Sequence, residues 1–217
     1  MEFNDVVNHR KAIRSFDPNK PISDELIEKI MVSAQRTPSW TNSQPWKVYV
    51  ATGATLAEIK ADHLERTEKR MKGYSDLNVI HRTDWGPLMA ENSRVWNAEI
   101  SVYLGEAGLA NFSDLQRHLF NAPVIIYLTV ERDVSPWMIY DMGAFSQSIL
   151  LAAANEQVNT IPAYETAKYP DAVRKIVGIP ENELLIGGIA MGYRSEGMIN
   201  AFHSQRSSVA SFLTIKH

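Results

Sequence analysis

The chain contains no cysteine. That excludes disulfides, thiolate metal sites and a cysteine nucleophile, and it suits a reducing compartment. No apolar run is long enough to span a bilayer; stretches such as PVIIYL and LLIGGIAMG fall well short. The N-terminal MEFNDVVNHRK has no apolar core of the kind a signal peptide needs, so a cytoplasmic protein without a membrane partner is expected. Positive charge is not in excess: 22 Lys and Arg stand against 25 Asp and Glu, a net charge of -3. No large basic face for nucleic acid is implied. There is no GxGxxG or Walker A pattern, no HExxH and no GxSxG elbow, so neither the common phosphate loops nor the common hydrolytic sites are signalled. Six histidines are scattered without metal-ligand spacing.

What remains is an ordinary composition, 45% hydrophobic and 22% charged over 217 residues, enough to bury a substantial core. No repeat, linker or low-complexity stretch divides it, and one domain over residues 1–217 is the simplest account. Helices and strands alternate along it. Ser23 caps a helix with Asp24 and Glu25 in its first turn, where the helix dipole favours negative charge. Leu26, Ile27, Ile30, Met31 and Ala34 recur at helical spacing, and Pro38 closes the segment. Trp46–Val50 alternates as a strand. A charged helix is expected over 55–70, further helices over 89–104 and 113–119, and a long buried helix from Pro136 to about Asn155. Pro123–Val130 reads as a buried central strand, Val158–Ile161 as a short one and Leu184–Met191 as another. Tyr169-Pro170-Asp171 opens a helix that stops at Gly178. Residues 72–88 are irregular and carry Tyr74 and Trp85, the pattern of a loop or lid. Elements in this order point to an α/β or α+β sheet covered by helices.

Two polar clusters stand out. Arg10-Lys11-Ala12-Ile13-Arg14 offers guanidinium forks and a point charge suited to phosphate oxygens; Arg10 and Arg14 share a face if residues 4–14 are partly helical. Near the other end, His203-Ser204-Gln205-Arg206 adds a further arginine. In PSWTNSQPW, residues 38–46, Asn42 and Gln44 each carry a donor and an acceptor that suit the edge of a heterocycle, or alternatively cap turns between Pro38 and Pro45. Asp141 lies on an apolar helix, either as a buried reactive carboxylate or, more in keeping with its neighbours, as a packing residue with a hydrogen-bond partner.

Taken together, RKAIRSF, PISDELIEKIMVSAQRTPSWTNSQPWKVYV, FNAPVIIYLTV, YDMGAFSQSILLAAANEQVNTIPA and IAMGYRSEGMINAFHSQR resemble the nitroreductase family of FMN-dependent oxidoreductases over essentially the whole length. The resemblance implies an α+β fold with a central, mostly antiparallel sheet flanked by helices, in an interlocked homodimer with FMN at the subunit interface. It implies that Arg10, Lys11, Ala12 and Arg14 hold the FMN phosphate and pyrimidine edge. Pro38, Ser39, Trp40, Asn42 and Gln44 would line the flavin from the other subunit. Pro162, Ala163, Tyr164 and Glu165 would present backbone amides to flavin N5 and O4, and Arg206 would grip the phosphate. Two positions depart from the common pattern: Ala12 stands where serine is frequent, and Tyr164-Glu165 where a glycine-containing turn is common. The implied activity passes electrons from NADH or NADPH through flavin to a nitroaromatic, a quinone or another small acceptor, with no side-chain acid or nucleophile required. Dehalogenase or enoate-reductase chemistry on the same fold, and non-catalytic flavin binding, are the rival readings.

Overall fold

The computed structural model describes residues 1–217. In chain order it has α1 (Phe3–His9), α2 (Asp24–Ala34), β1 (Lys47–Ala51), α3 (Gly53–Glu68), α4 (Pro87–Arg117), β2 (Val124–Glu131), α5 (Pro136–Asn155), β3 (Asn159–Ala163), α6 (Pro170–Val177), β4 (Glu183–Gly192) and α7 (Met198–Ala201), with short 3-10 turns between. The boundaries follow local chemistry. Ser23 Oγ accepts from Leu26 N at 3.3 Å to cap α2. Pro136 and Pro170 sit in the first turns of α5 and α6, where a missing N–H costs nothing. Gly178 ends α6 at φ 81°, the left-handed cap that glycine adopts without strain.

The four strands run in the order β1-β2-β4-β3, each antiparallel to its neighbour. β2 and β3 are therefore parallel, although α5 links them directly, because β4 returns last and inserts between them. The fold is α+β. β2 is central, and all its residues but Glu131 are buried. Its side chains alternate between two cores, as the pleat requires. Ile125 and Tyr127 face Leu56 and Ile59 of α3 and Val173 of α6. Ile126, Leu128 and Val130 face Ile27 and Ile30 of α2 and Met142, Phe145 and Ile149 of α5. A third cluster joins Ile100, Leu104 and Leu115 of α4 to Ile199 and Phe202.

Two features differ from the sequence reading. The separate helices expected over 89–104 and 113–119 form one span, broken at Gly105 (φ 61°, ψ -177°), a conformation open to glycine alone. And α1 stops at His9, so Arg10–Arg14 is extended rather than helical. Ala12 bridges Thr160 in parallel, and Ile13 N donates to Thr160 O at 3.1 Å. The N-terminal segment thus covers the free edge of β3.

Candidate functional site

β3 is the axis of the site, with a cleft at each end. The first, about 530 Å³, is basic: Arg10, Lys11, Arg194, His9 and His203 line it together with Gln157 and Asn159. Lys11 Nζ lies 3.1 Å from His203 Nε2. Burial, and then the nearby Arg194, push the Lys11 ammonium below its ordinary pKa. Arg14 is held where burial lowers its pKa as well. Its guanidinium lies 5.8 Å from the ring centroids of both Trp96 and Phe112, and its side-chain hydrogen bond goes to the Ala12 carbonyl at 3.3 Å. None of Arg10, Lys11, Arg14 or Arg206 is paired with a carboxylate. The cations gathered in this cleft, Arg10, Lys11 and Arg194, meet no acid there and are suited to an anionic ligand.

The second cleft, about 660 Å³, lies where β3 ends. Pro162, Ala163 and Tyr164 form one wall, Ile139 and Met142 of α5 another, and Val79, Ile80 and Trp85 a third. The turn after β3 is pinned from several sides. Thr166 Oγ1 donates to Ala163 O at 2.6 Å. A side chain on Gly188 would collide with the Thr166 hydroxyl, so Gly188 has to stay glycine for the turn to pack on β4. Glu165 turns inward: Lys168 Nζ is 2.7 Å from its Oε1 and the buried His63 Nε2 is 3.4 Å away. Burial raises the Glu165 carboxyl pKa, but His63 and Lys168 outweigh it and the net direction is downward. The Glu165 carboxylate is therefore committed within the fold, while Tyr164 remains half exposed on the cleft wall.

The PSWTNSQPW loop sits against α5. Trp40 N donates to Oδ2 of the buried Asp141 at 2.9 Å, and Ser39 Oγ accepts from Gln44 N at 2.9 Å. Thr41, Asn42 and Gln44 all have positive φ (50°, 58° and 46°), a run of left-handed residues that costs backbone energy. Gln44 Nε2 donates to Asn42 O at 3.3 Å. Pro38, Trp40, Asn42 and Gln44 are exposed, so within one chain this loop presents its amides to no other element. Arg206 is exposed too, and bonds Ser204 and Gln205 in its own segment at 2.7–3.2 Å. His203, three residues earlier, is the part of the C-terminal stretch that reaches Lys11.

Of the residues singled out in the sequence, the fold brings Arg10, Lys11, Ala12 and Arg14 beside the β3 strand that ends in Pro162-Ala163-Tyr164-Glu165. It keeps residues 38–44 and Arg206 apart from them. The expectation that Arg10 and Arg14 share a helical face is replaced by a strand-like segment in which alternate residues share a side. Arg194 and His203 lie outside the expected site residues, although His203 opens the C-terminal polar stretch; the packing of that stretch beside β3 puts them in the basic cleft.

The profile of the Nitroreductase family matches residues 7–193. Among characterised relatives, a 4-nitrobenzoate reductase of Pseudomonas putida is 27% identical over 97% of this chain and 94% of its own length. A chloronitrobenzene nitroreductase of Comamonas testosteroni is 24% identical over 98% and 96%. The crystal structure of an FMN and NADPH-dependent nitroreductase from Sphigopyxis sp. strain HMH superposes with a TM-score of 0.90 at 23% identity, covering both chains completely. That superposition shows a shared fold. The chain belongs to the nitroreductase family of oxidoreductases.

Proposed function

We propose that this chain is a single-domain, FMN-dependent oxidoreductase that carries electrons from NADH or NADPH to a nitroaromatic, a quinone or a similar small acceptor. The observation that carries this reading is the pair of clefts on β3. One is cationic and free of acids, the other largely apolar, and they are separated by the length of a five-residue strand, about 13 Å at 3.3 Å per residue. A mononucleotide with a phosphate at one end and a flat ring at the other fits that spacing and polarity.

When bound, FMN supplies the redox chemistry that couples the nicotinamide to the acceptor. The protein binds, orients and shields. Arg10 and Lys11 would hold the phosphate, and Arg206 would add a further cation to it. Arg14, lacking a counter-ion and desolvated beside two aromatic rings, would favour negative charge at the pyrimidine edge. The N–H groups of Tyr164 and Glu165, in a turn held by the Thr166 and Lys168 contacts, would be the backbone donors available to the ring. Donor and acceptor use the second cleft in turn, which makes the kinetics ping-pong.

The residues kept apart in one chain call for a second. Pro38, Ser39, Trp40, Asn42 and Gln44 would reach the flavin held by the partner of a homodimer. Exposed Val102 (86%), Tyr140 (71%), Phe212 (71%) and Ile215 (67%) supply apolar surface for such an interface.

The visible spectrum of the purified protein tests this directly. Flavin bands, release on heating of a cofactor that co-migrates with FMN, and steady NADPH oxidation with a nitroaromatic are expected. A colourless protein that takes up no FMN, or FAD as the sole flavin, would refute the reading.

A further inference from the structure

The cleft at the end of β3 contains no charged side chain. Twelve of its 19 lining residues are hydrophobic, and the others are glycine, proline, Ser75, Asn78 and Ser146. The ionised groups nearby are committed elsewhere. Asp76 pairs with Arg174 and accepts from Leu185 N. Glu165 and Lys168 hold each other. Arg82 lies 6.0 Å from the ring centroid of Trp85 and, with Lys72 and His81, lines an adjoining depression that shares Ser75, residues 77–80 and Tyr164 with the cleft but whose cations do not line the cleft itself. The contrast with the basic cleft at the other end of the same strand is sharp. An anionic group finds partners at one end of β3 and none at the other.

We propose that this cleft selects uncharged nitroaromatic acceptors over their carboxylate-bearing analogues. The inference rests on the proposed function, in which the flavin ring and the acceptor share this cleft. A flat neutral ring loses little on leaving water and gains the apolar walls of Met142, Ile139, Val79 and Trp85. A carboxylate would lose its hydration and find no cation to replace it. The polar groups that remain, Ser75, Asn78 and Ser146, can hydrogen-bond a nitro oxygen or a neutral amide but cannot neutralise a charge.

The deciding measurement compares 4-nitrobenzamide with 4-nitrobenzoate, which match in shape and differ in charge, on the FMN-loaded enzyme with NADPH. We expect kcat/KM to favour the amide by at least about tenfold, equivalent to about 1.4 kcal/mol. Equal values, or preference for the carboxylate, would overturn the inference and leave the proposed function standing. Reduction of neither compound would overturn the inference and remove these nitroaromatics from the acceptors; failure to oxidise NADPH with a quinone as well would overturn the proposed function. Val79→Lys places a cation in the wall and is expected to shift the ratio toward 4-nitrobenzoate; an unchanged ratio in a folded, FMN-loaded variant would remove this cleft as the selecting element. Independently of turnover, isothermal titration of the wild-type holoenzyme with benzamide and benzoate should show weaker binding of benzoate. Tighter binding of benzoate would again overturn it.

Discussion

Arg14 illustrates what burial without a partner does to a cation. Its guanidinium is desolvated, flanked by two rings and bonded only to a backbone carbonyl, an arrangement that stores affinity for an electron-rich edge. Arg10 and Arg206 are freer, and their contribution is felt only when an anion arrives. If each bonds the phosphate as proposed, replacing either with alanine should weaken FMN binding by roughly 1.5–3 kcal/mol, about tenfold or more in affinity. Fluorescence titration of the apo protein with FMN measures this. An unchanged affinity in Arg206→Ala would make that arginine only a solvated part of the tail, as its bonds to Ser204 and Gln205 describe it within one chain.

At the scale of elements, the sheet carries a charge cluster of its own. Glu183, buried at the start of β4, accepts from Thr129 of β2 at 2.5 Å, from Tyr49 of β1 at 3.0 Å and from Lys47 at 2.8 Å. Burial alone would raise its pKa, but the three donors outweigh burial and hold the carboxyl below its ordinary value. A lowered folded-state pKa stabilises the fold above the unfolded pKa of about 4.3. That stabilisation disappears as pH falls through the lower folded value. Glu183→Gln should therefore melt at a lower temperature than wild type at pH 7, and the gap should close below about pH 4; a gap independent of pH would place its origin in packing. Residues 72–88, part of which line the second cleft, carry two aromatics that look alike in the sequence. Tyr74 is an anchor: its hydroxyl donates to Asp171 Oδ1 at 2.8 Å and its carbonyl accepts from Tyr164 at 3.3 Å. Trp85 lines the cleft itself. Trp85→Ala should change the kcat/KM ratio between a nitroaromatic and a quinone with little change in FMN affinity, whereas Tyr74→Ala should lower the melting temperature and reduce both acceptors alike. The reverse pattern would exchange the two roles.

The whole molecule exposes more surface than a compact monomer of its mass. Its accessible area is 13120 Å², against about 10,000 Å² expected for a 24.5 kDa globular chain. The excess lies in elements that find no cover of their own. Among them are the tail beyond Arg206, with Phe212 and Ile215 71% and 67% exposed, and the α4 face that carries Val102. An interlocked dimer would bury them, and an interface of that size is of the obligate kind. Light scattering should report about twice the mass of the 24.5 kDa chain, and removal of residues 208–217 should shift the protein toward monomer and weaken its hold on FMN. A flavin-loaded monomer would contradict the shared-site arrangement.

What the sequence by itself determined is local. Capping at Ser23, prolines in the first turns of α5 and α6, the left-handed stop at Gly178 and the unbroken apolar run of β2 each act over a few residues, where side-chain and backbone chemistry decide the conformation. The resemblance supplied the sheet's antiparallel character, which alternating strands and helices do not. The tertiary structure alone decided what lies near what. β4 enters between β2 and β3, and residues 12 and 13 close the edge of β3 almost 150 positions away. That closure brings Lys11 to His203 and Arg194, and it turns a suspected helical face of arginines into an extended strip. The tertiary structure also commits Asp141 to the Trp40 amide and brings the buried His63 to Glu165, and it leaves one cleft basic and the other lined by no charge. Such placements depend on contacts between segments far apart in the chain, and no local pattern encodes them.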